Sequence, residues 1–233
     1  MRMLVISDVH ANYPALRAVA ADAPAVDVTV CCGDLVGLGG FPRATVSWMR
    51  EHTQYCLAGN HDRAVIYWGE GHVNDEALSM YERNHTLSML GMDAQSWVVD
   101  NPSYTVDKDV GMICAHAKPT PAEASGLEPG NRGVPPGDFV TVAASMPEWV
   151  SLVLLGHTHE QHAINSSQFD GDHDVTVVNP GSVGQPLDSG CAEYAVVDTD
   201  TREVELRTAE YDTDPVKARL DEHGVATHHW GWS

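Results

Sequence analysis

Five hydrophobic runs in this chain stop abruptly, and each is followed at once by side chains able to bind a divalent cation or carry a proton. They are "ISDVH" with Asp8 and His10, "CCGDLVG" with Asp34, "LAGNHD" with Asn60, His61 and Asp62, "ICAH" with His116, and "LLGHTH" with His157 and His159. Singly, each has an ordinary explanation: an aspartate after a strand caps a turn or helix, Gly-Asn is a turn signal, and a lone histidine is more often a satisfied polar residue than a ligand. Together, the mixture of carboxylate, imidazole and one amide carbonyl suits borderline divalent ions such as Mn²⁺, Fe²⁺, Ni²⁺ or Zn²⁺ better than Ca²⁺ or a thiolate site. In an extended segment, residues two apart point to one side. Asp8 with His10, and His157 with His159, can therefore each address one locus or two neighbouring ones. The donors exceed what one ion needs, and two ions about 3.5–4 Å apart sharing a bridging carboxylate accommodate them.

Such convergence needs elements that bring five chain segments to one place. The carboxyl ends of strands in an α/β sheet do so. "MLVIS", "VDVTVCC" and "QYCLA" read as strands, alternating with helices from about Pro14 to Ala23, carrying Leu16, Val19 and Ala20 on one face, and from Arg43 to Glu51. Residues 74–99 turn helical, with two helices meeting near Gly91. "VGMICAH" and "SLVLLGH" are further buried strands, separated by a Pro/Gly-rich loop over 117–138. After residue 160, "HDVTVVN", "AEYAVVDTD" and "REVELRTAEY" alternate as half-buried antiparallel strands do. The pattern predicts one domain over residues 1–233 with a tail from about 213, built as two sheets packed face to face with helices outside.

Composition narrows the partners. Thirty-three acidic side chains against 13 basic ones give a formal net charge of −20, and the three lysines are Lys108, Lys118 and Lys217. Such a surface repels polyphosphate backbones, so nucleic acid is not an expected partner; it reads as adaptation to a salt-rich cytoplasm, where repulsion is screened. No apolar run is long enough to span a bilayer and the N-terminus turns polar within a few residues, so a soluble, cytoplasmic protein is expected. The five cysteines read as reduced, mostly buried thiols without the spacing of a structural zinc site.

The series D-x-H, G-D-x-x-G, G-N-H-D, a strand-end His and G-H-T-H resembles the calcineurin-like metallophosphoesterase superfamily, in the family's order over residues 8–159. "NPGSVGQP", residues 179–186, is similar to a loop of its small bacterial and archaeal phosphodiesterase branch. The resemblance implies a four-layer α/β/β/α sandwich of two mixed sheets with a dinuclear centre at one edge. It implies that Asp8, His10 and His159 hold the first ion, that Asp34 bridges, and that Asn60, His116 and His157 complete the second, with Mn²⁺ the expected metal. It leaves His61 without a metal, as the acid that protonates the leaving oxygen or the group that steadies the transferring phosphoryl, with Asp62 supporting its charge. The sequence departs from the family at Ala117, where glycine is usual, and at Leu187 and Asp188, where arginine is common; these bear on substrate approach and phosphate recognition.

The implied chemistry is hydrolysis of a phosphodiester, phosphomonoester or phosphoanhydride of a small molecule by a metal-bridging hydroxide. A nucleotidase, a protein phosphatase and a diadenosine-polyphosphate hydrolase all fit. The motifs hold no serine or cysteine poised with a base, which argues against a covalent intermediate. A silent scaffold or metal-binding regulator on the same fold is the rival. Arg63, Lys118 and Arg132 are minor candidates for substrate contact, Gly181 and Gly184 for close ligand approach, and Asn12 for a helix cap. His228 and His229 read as a packed or frayed tail, and Trp230 and Trp232 could anchor that tail to the core or to a second subunit.

Overall fold

The computed structural model describes residues 1–66, 80–119, 133–168, 174–187 and 190–222. Its strands are β1 (Arg2–Ile6), β2 (Val28–Cys31), β3 (Tyr55–Cys56), β4 (Tyr104–Asp107), β5 (Met112–Ala115), β6 (Leu152–Leu154), β7 (His162–Asn165), β8 (Thr176–Asn179), β9 (Ala192–Asp198) and β10 (Val204–Ala209). Its helices are α1 (Tyr13–Asp22), α2 (Pro42–His52), α3 (Asn60–Ile66), α4 (Met80–Met89), α5 (Met92–Asp100), α6 (Phe139–Ser145) and α7 (Asp214–Glu222). The strands form two five-stranded sheets, ordered β10-β9-β1-β2-β3 and β4-β5-β6-β8-β7. In the first, β1, β2 and β3 run parallel while β9 and β10 are antiparallel. In the second, β5, β6 and β8 run parallel between antiparallel β4 and β7.

Period-two alternation builds the layers. Met3 and Val5 of β1 pack with Met112, Cys114, Leu152, Leu154 and Val178 between the sheets. Leu4 and Ile6 turn the other way, onto Leu16 and Val19 of α1 and Val46 and Met49 of α2. On the far side Ile113, Val153 and Val177 meet Phe139, Val142 and Ala143 of α6. The result is the expected α/β/β/α sandwich, with a hydrophobic core in each of its three interlayer spaces.

Several local expectations change. The buried face of α1 carries Ala15, Leu16 and Val19, whereas Ala20 is exposed; Ala15 lies one turn before Val19, on the stripe running from the cap. β8 is buried on both faces and pairs parallel with β6, and β9 is buried almost throughout because sheet and helices cover both its sides. Of the three strands read this way, edge strand β10 alone is partly exposed along most of its length. Helices α4 and α5 flank Gly91 as the spacing predicts, and the segment after 213 begins with helix α7. All five cysteines are free, with Cys31, Cys32 and Cys114 buried. Part of the 74–99 segment, most of the 117–138 loop, Arg132, Asp188, His228, His229, Trp230 and Trp232 lie outside the described residues.

Candidate metal centre

The parallel strands converge on one edge. β1 leads to Asp8 and His10, β2 to Asp34, β3 to Asn60, β5 to His116, and β6 to His157 and His159. The turns that carry them are left-handed rather than extended: φ is +52° at Asp8, +48° at His10, +53° at Asp34, +71° at His157 and +58° at His159. Each such residue costs on the order of 1–3 kcal/mol, so surrounding contacts must enforce the conformation. They do so through main-chain N–H groups: Asp8 N–H donates to Gly33 O and His10 N–H to Asp34 O, each at 3.0 Å, and His157 N–H donates to the Asp8 side-chain Oδ2 at 3.0 Å. Side chains two apart reach the centre because the chain curls around it, and not through strand periodicity.

Two groups of donors result. In the first, His159 Nε2 lies 3.2 Å from Asp8 Oδ1 and 3.1 Å from His10 Nε2. In the second, Asn60 Oδ1 lies 2.7 Å from His157 Nδ1 and 3.0 Å from His116 Nε2, with the two imidazoles 3.3 Å apart. Asp34 stands between them, its Oδ2 3.3 Å from His116 Nε2 and 4.0 Å from His10 Nε2. The ligand atoms of Asp8, His10 and His159 lie within 4.8 Å of one another, as do those of Asp34, His116 and His157. Of the two arrangements open to His157 and His159, one locus or two neighbouring ones, the structure takes the second, with His159 in the first group and His157 in the second.

A cation fits both groups. Lone pairs of imidazole nitrogen and carboxylate or amide oxygen facing one point repel unless a proton or metal sits among them, and buried Asp8 Oδ1 has no hydrogen-bond partner. Two of these histidines are also oriented from behind, as metal-bound histidines usually are: His116 Nδ1 donates to Cys32 O at 2.9 Å and His159 Nδ1 to Gln185 O at 2.8 Å, leaving each Nε2 facing its donor group.

The charges follow the same division. Burial pushes the Asp8 carboxyl up, but His159 and His116 outweigh it and hold the group low; for Asp34, His116 and His61 overcome burial in the same way. Burial would lower His116, yet Asp34 carries it up to about 10, and Asp8 similarly raises His159. His10 is driven down to about 3, first by burial and then by His61. Burial and the neighbouring His116 lower His157. The centre draws positive charge to its carboxylates and keeps two imidazoles neutral.

His61 and Asp62 part company. "LAGNHD" is not a free turn, because Asn60 opens α3. The His61 backbone N–H donates to Asp34 Oδ1 at 2.8 Å, its ring meets that of His10 edge-on at 4.8 Å, and its buried Nδ1 has no hydrogen-bond partner. The Asp62 carboxylate instead accepts from Leu35 N–H at 3.1 Å, Val36 N–H at 2.9 Å and Gly59 N–H at 2.9 Å, and makes no hydrogen bond to His61. Burial, and then the Asp34 charge, push its pKa up to about 7 against these donors. Gly59 is required beside it, since a Cβ there would lie 2.1 Å from Asp34 Oδ1.

The end of β8 and the loop after it hold residues that spacing alone does not single out. Asn179 Nδ2 donates to Gly156 O and Thr158 Oγ1, both at 3.0 Å, gripping the turn of His157. Ser182 and Gln185 connect the Asp8 turn to His159. Gly184 backs onto Val9 O, where a Cβ would sit at 2.0 Å, so its small size serves packing within the protein. The only sequence signal for this loop is "NPGSVGQP" itself. Asn12 is the cap of α1, accepting from Ala15 N–H at 3.2 Å. Ala117 is buried, Arg63 is half-buried, and Lys118 and Leu187 are exposed.

Residues 1–202 match the calcineurin-like phosphoesterase superfamily domain. An uncharacterized protein of Methanocaldococcus jannaschii is 27% identical over 246 residues, covering 94% of this chain and 93% of its own. The crystal structure of a metallophosphoesterase from Sphaerobacter thermophilus superposes with a TM-score of 0.77 at 27% identity, covering 97% of this chain and 95% of that one. A hypothetical protein from Pyrococcus horikoshii shares the fold with a TM-score of 0.74 at 20% identity, covering 99% and 98%.

Proposed function

This chain belongs to the calcineurin-like phosphoesterase superfamily, and we propose that it is a dinuclear-metal-dependent hydrolase of small phosphorylated molecules. The observation that carries the reading is the position of Asp34 between two nitrogen-rich donor groups, 3.3 Å from His116 and 4.0 Å from His10. Asp8, His10 and His159 would hold one ion, Asn60, His116 and His157 the other, and Asp34 both. Mn²⁺ suits the donors, as do Fe²⁺, Ni²⁺ and Zn²⁺. When bound, the two ions activate a water for in-line attack and screen the phosphoryl oxygens.

The chain's own groups do the rest. Left-handed turns fix the ligands before substrate arrives, so little reorganisation accompanies the reaction. His61 is held against the centre by its N–H bond to Asp34 while its ring stays outside both donor groups, which leaves it free to give a proton to the leaving oxygen. Asp62 acts as a positioning residue, fixing the backbone between Asp34 and Asn60. Among the substrate classes we favour phosphodiesters and phosphoanhydrides of metabolites over nucleic acid, because a net charge of −20 opposes a polyanion. No helix among the described residues is long and apolar enough to cross a membrane, and the reading is of a cytoplasmic enzyme adapted to high salt.

The test is metal-depleted protein in molar KCl, assayed with bis-p-nitrophenyl phosphate and p-nitrophenyl phosphate after restoring Mn²⁺, Ni²⁺, Zn²⁺ or Mg²⁺. Metal-dependent turnover is expected. Tight ion uptake without turnover of either ester would favour a metal-binding regulator, and neither uptake nor turnover would favour a silent scaffold.

A further inference from the structure

We infer that Ser182 is a positioning residue for the first ion site alone, acting through a relay that locks His159 to the Asp8 turn. The inference rests on the two-ion reading above. Ser182 is fully buried, and its Oγ donates to Asp8 O at 2.8 Å. The same oxygen accepts from Gln185 N–H at 2.8 Å, and Gln185 O in turn accepts from His159 Nδ1 at 2.8 Å. One hydroxyl thus joins the main chain beneath one ligand to the carbonyl that orients another. Main-chain bonds run alongside it, Val183 N–H to Ser7 O and Gly184 N–H to Asp8 O, each at 3.0 Å, while Asn12 Nδ2 donates to Gly184 O and Glu193 Oε2 accepts from Ser182 N–H, neither of them reaching His159.

The second group is suspended differently. His116 is oriented by Cys32 O at the end of β2, and the turn of His157 is held by Asn179. Neither contact passes through Ser182, and the one bond from His157 to the Asp8 turn, its N–H to Asp8 Oδ2 at 3.0 Å, ends on the side chain and not on the carbonyl that Ser182 holds. His159 has φ +58° and Asp8 φ +52°, so both ligands joined by the relay occupy conformations that the chain does not favour unaided. Loss of the hydroxyl removes one donor from Asp8 O and the acceptor of Gln185 N–H, and so weakens the link between the Asp8 turn and the Gln185 carbonyl that orients the His159 ring.

Calorimetric titration of metal-depleted protein with Mn²⁺ in molar KCl tests this, together with Mn²⁺ electron paramagnetic resonance and thermal unfolding without ions. Ser182→Ala should weaken one ion by about 10–100-fold, the range seen when an outer partner of a ligand is removed, and leave the other unchanged. At two equivalents the resonance should move from a coupled pair to an isolated ion. In a His159→Ala background the same substitution should add little, since residues in one network are not additive. Equal weakening of both ions, or an undiminished loss in the His159→Ala background, would overturn the inference. Ser182→Cys, which keeps the side-chain length but replaces a strong donor with a weak one, carries the test if the alanine variant does not fold. Should neither fold, Ser182 is a determinant of the fold and the inference fails. Wild-type protein that binds no Mn²⁺ would instead overturn the two-ion reading itself.

Discussion

Asp34 Oδ2 lies 3.3 Å from His116 Nε2 and 4.0 Å from His10 Nε2, so one carboxylate oxygen stands close to a nitrogen of each donor group. Asp34→Ala should therefore abolish binding of both Mn²⁺ ions, whereas Asn60→Ala should weaken the second ion only, because Asn60 touches His116 and His157 and not the first group. Calorimetry of the two variants separates these outcomes. Loss of both ions in Asn60→Ala would mean that Asn60 is part of a single undivided site.

His61→Ala should leave two ions bound and slow turnover by about 10²–10⁴-fold, the usual contribution of a general acid. The loss should shrink for an ester whose leaving group is already a weak base, since such a group departs without a proton. A variant that loses an ion, or that slows all leaving groups equally, would remove His61 from the acid role.

Asp62→Ala should act on stability. It leaves the N–H groups of Leu35, Val36 and Gly59 without their acceptor, and each buried donor so abandoned costs about 1–3 kcal/mol. Urea unfolding of ion-free protein should show a loss of about 3 kcal/mol or more by the same accounting, with Asp62→Asn, which keeps one acceptor oxygen, losing less. Unchanged stability with depressed activity would favour a direct action on His61.

The elements were largely readable from residue patterns, and so was the gathering of the candidate side chains at one edge. Runs such as "MLVIS" and "SLVLL" state their burial directly, and ligand types at strand ends state their convergence. The misread features have tertiary causes. Ala20 looks as apolar as Ala15, and only the angle at which α1 meets the sheet decides between them. The D-x-H and H-x-H spacings suggest extended chain, but the left-handed turns at Asp8, His10 and His157 depend on hydrogen-bond partners in other segments. Asp62 follows His61 in sequence, yet helix α3 turns its carboxylate toward the backbone of the Asp34 loop. Ser182 and Asn179 matter through hydrogen bonds to distant segments, which spacing along one chain does not encode.

Acidity should govern the ion-free state. Burial lowers the His116 imidazole, but Asp34 raises it from 6.5 to about 10. A histidine raised above its unfolded value contributes stability fully below about pH 6.5 and loses it as pH climbs through about 10. The unfolding temperature of metal-depleted protein should accordingly fall between these limits. Asp34→Asn should flatten that fall. Ion uptake near pH 8 should release protons, because a bound metal requires neutral imidazole; calorimetry in buffers of different ionisation enthalpy reads the number. A temperature profile rising toward pH 10 would contradict the assignment.

Anomalous scattering from crystals grown with Mn²⁺ tests the dinuclear centre most directly. Two peaks are expected, one among Asp8, His10 and His159, the other among Asn60, His116 and His157, with the Asp34 carboxylate reaching both. A single peak, or a second peak placed away from Asp34, would contradict it.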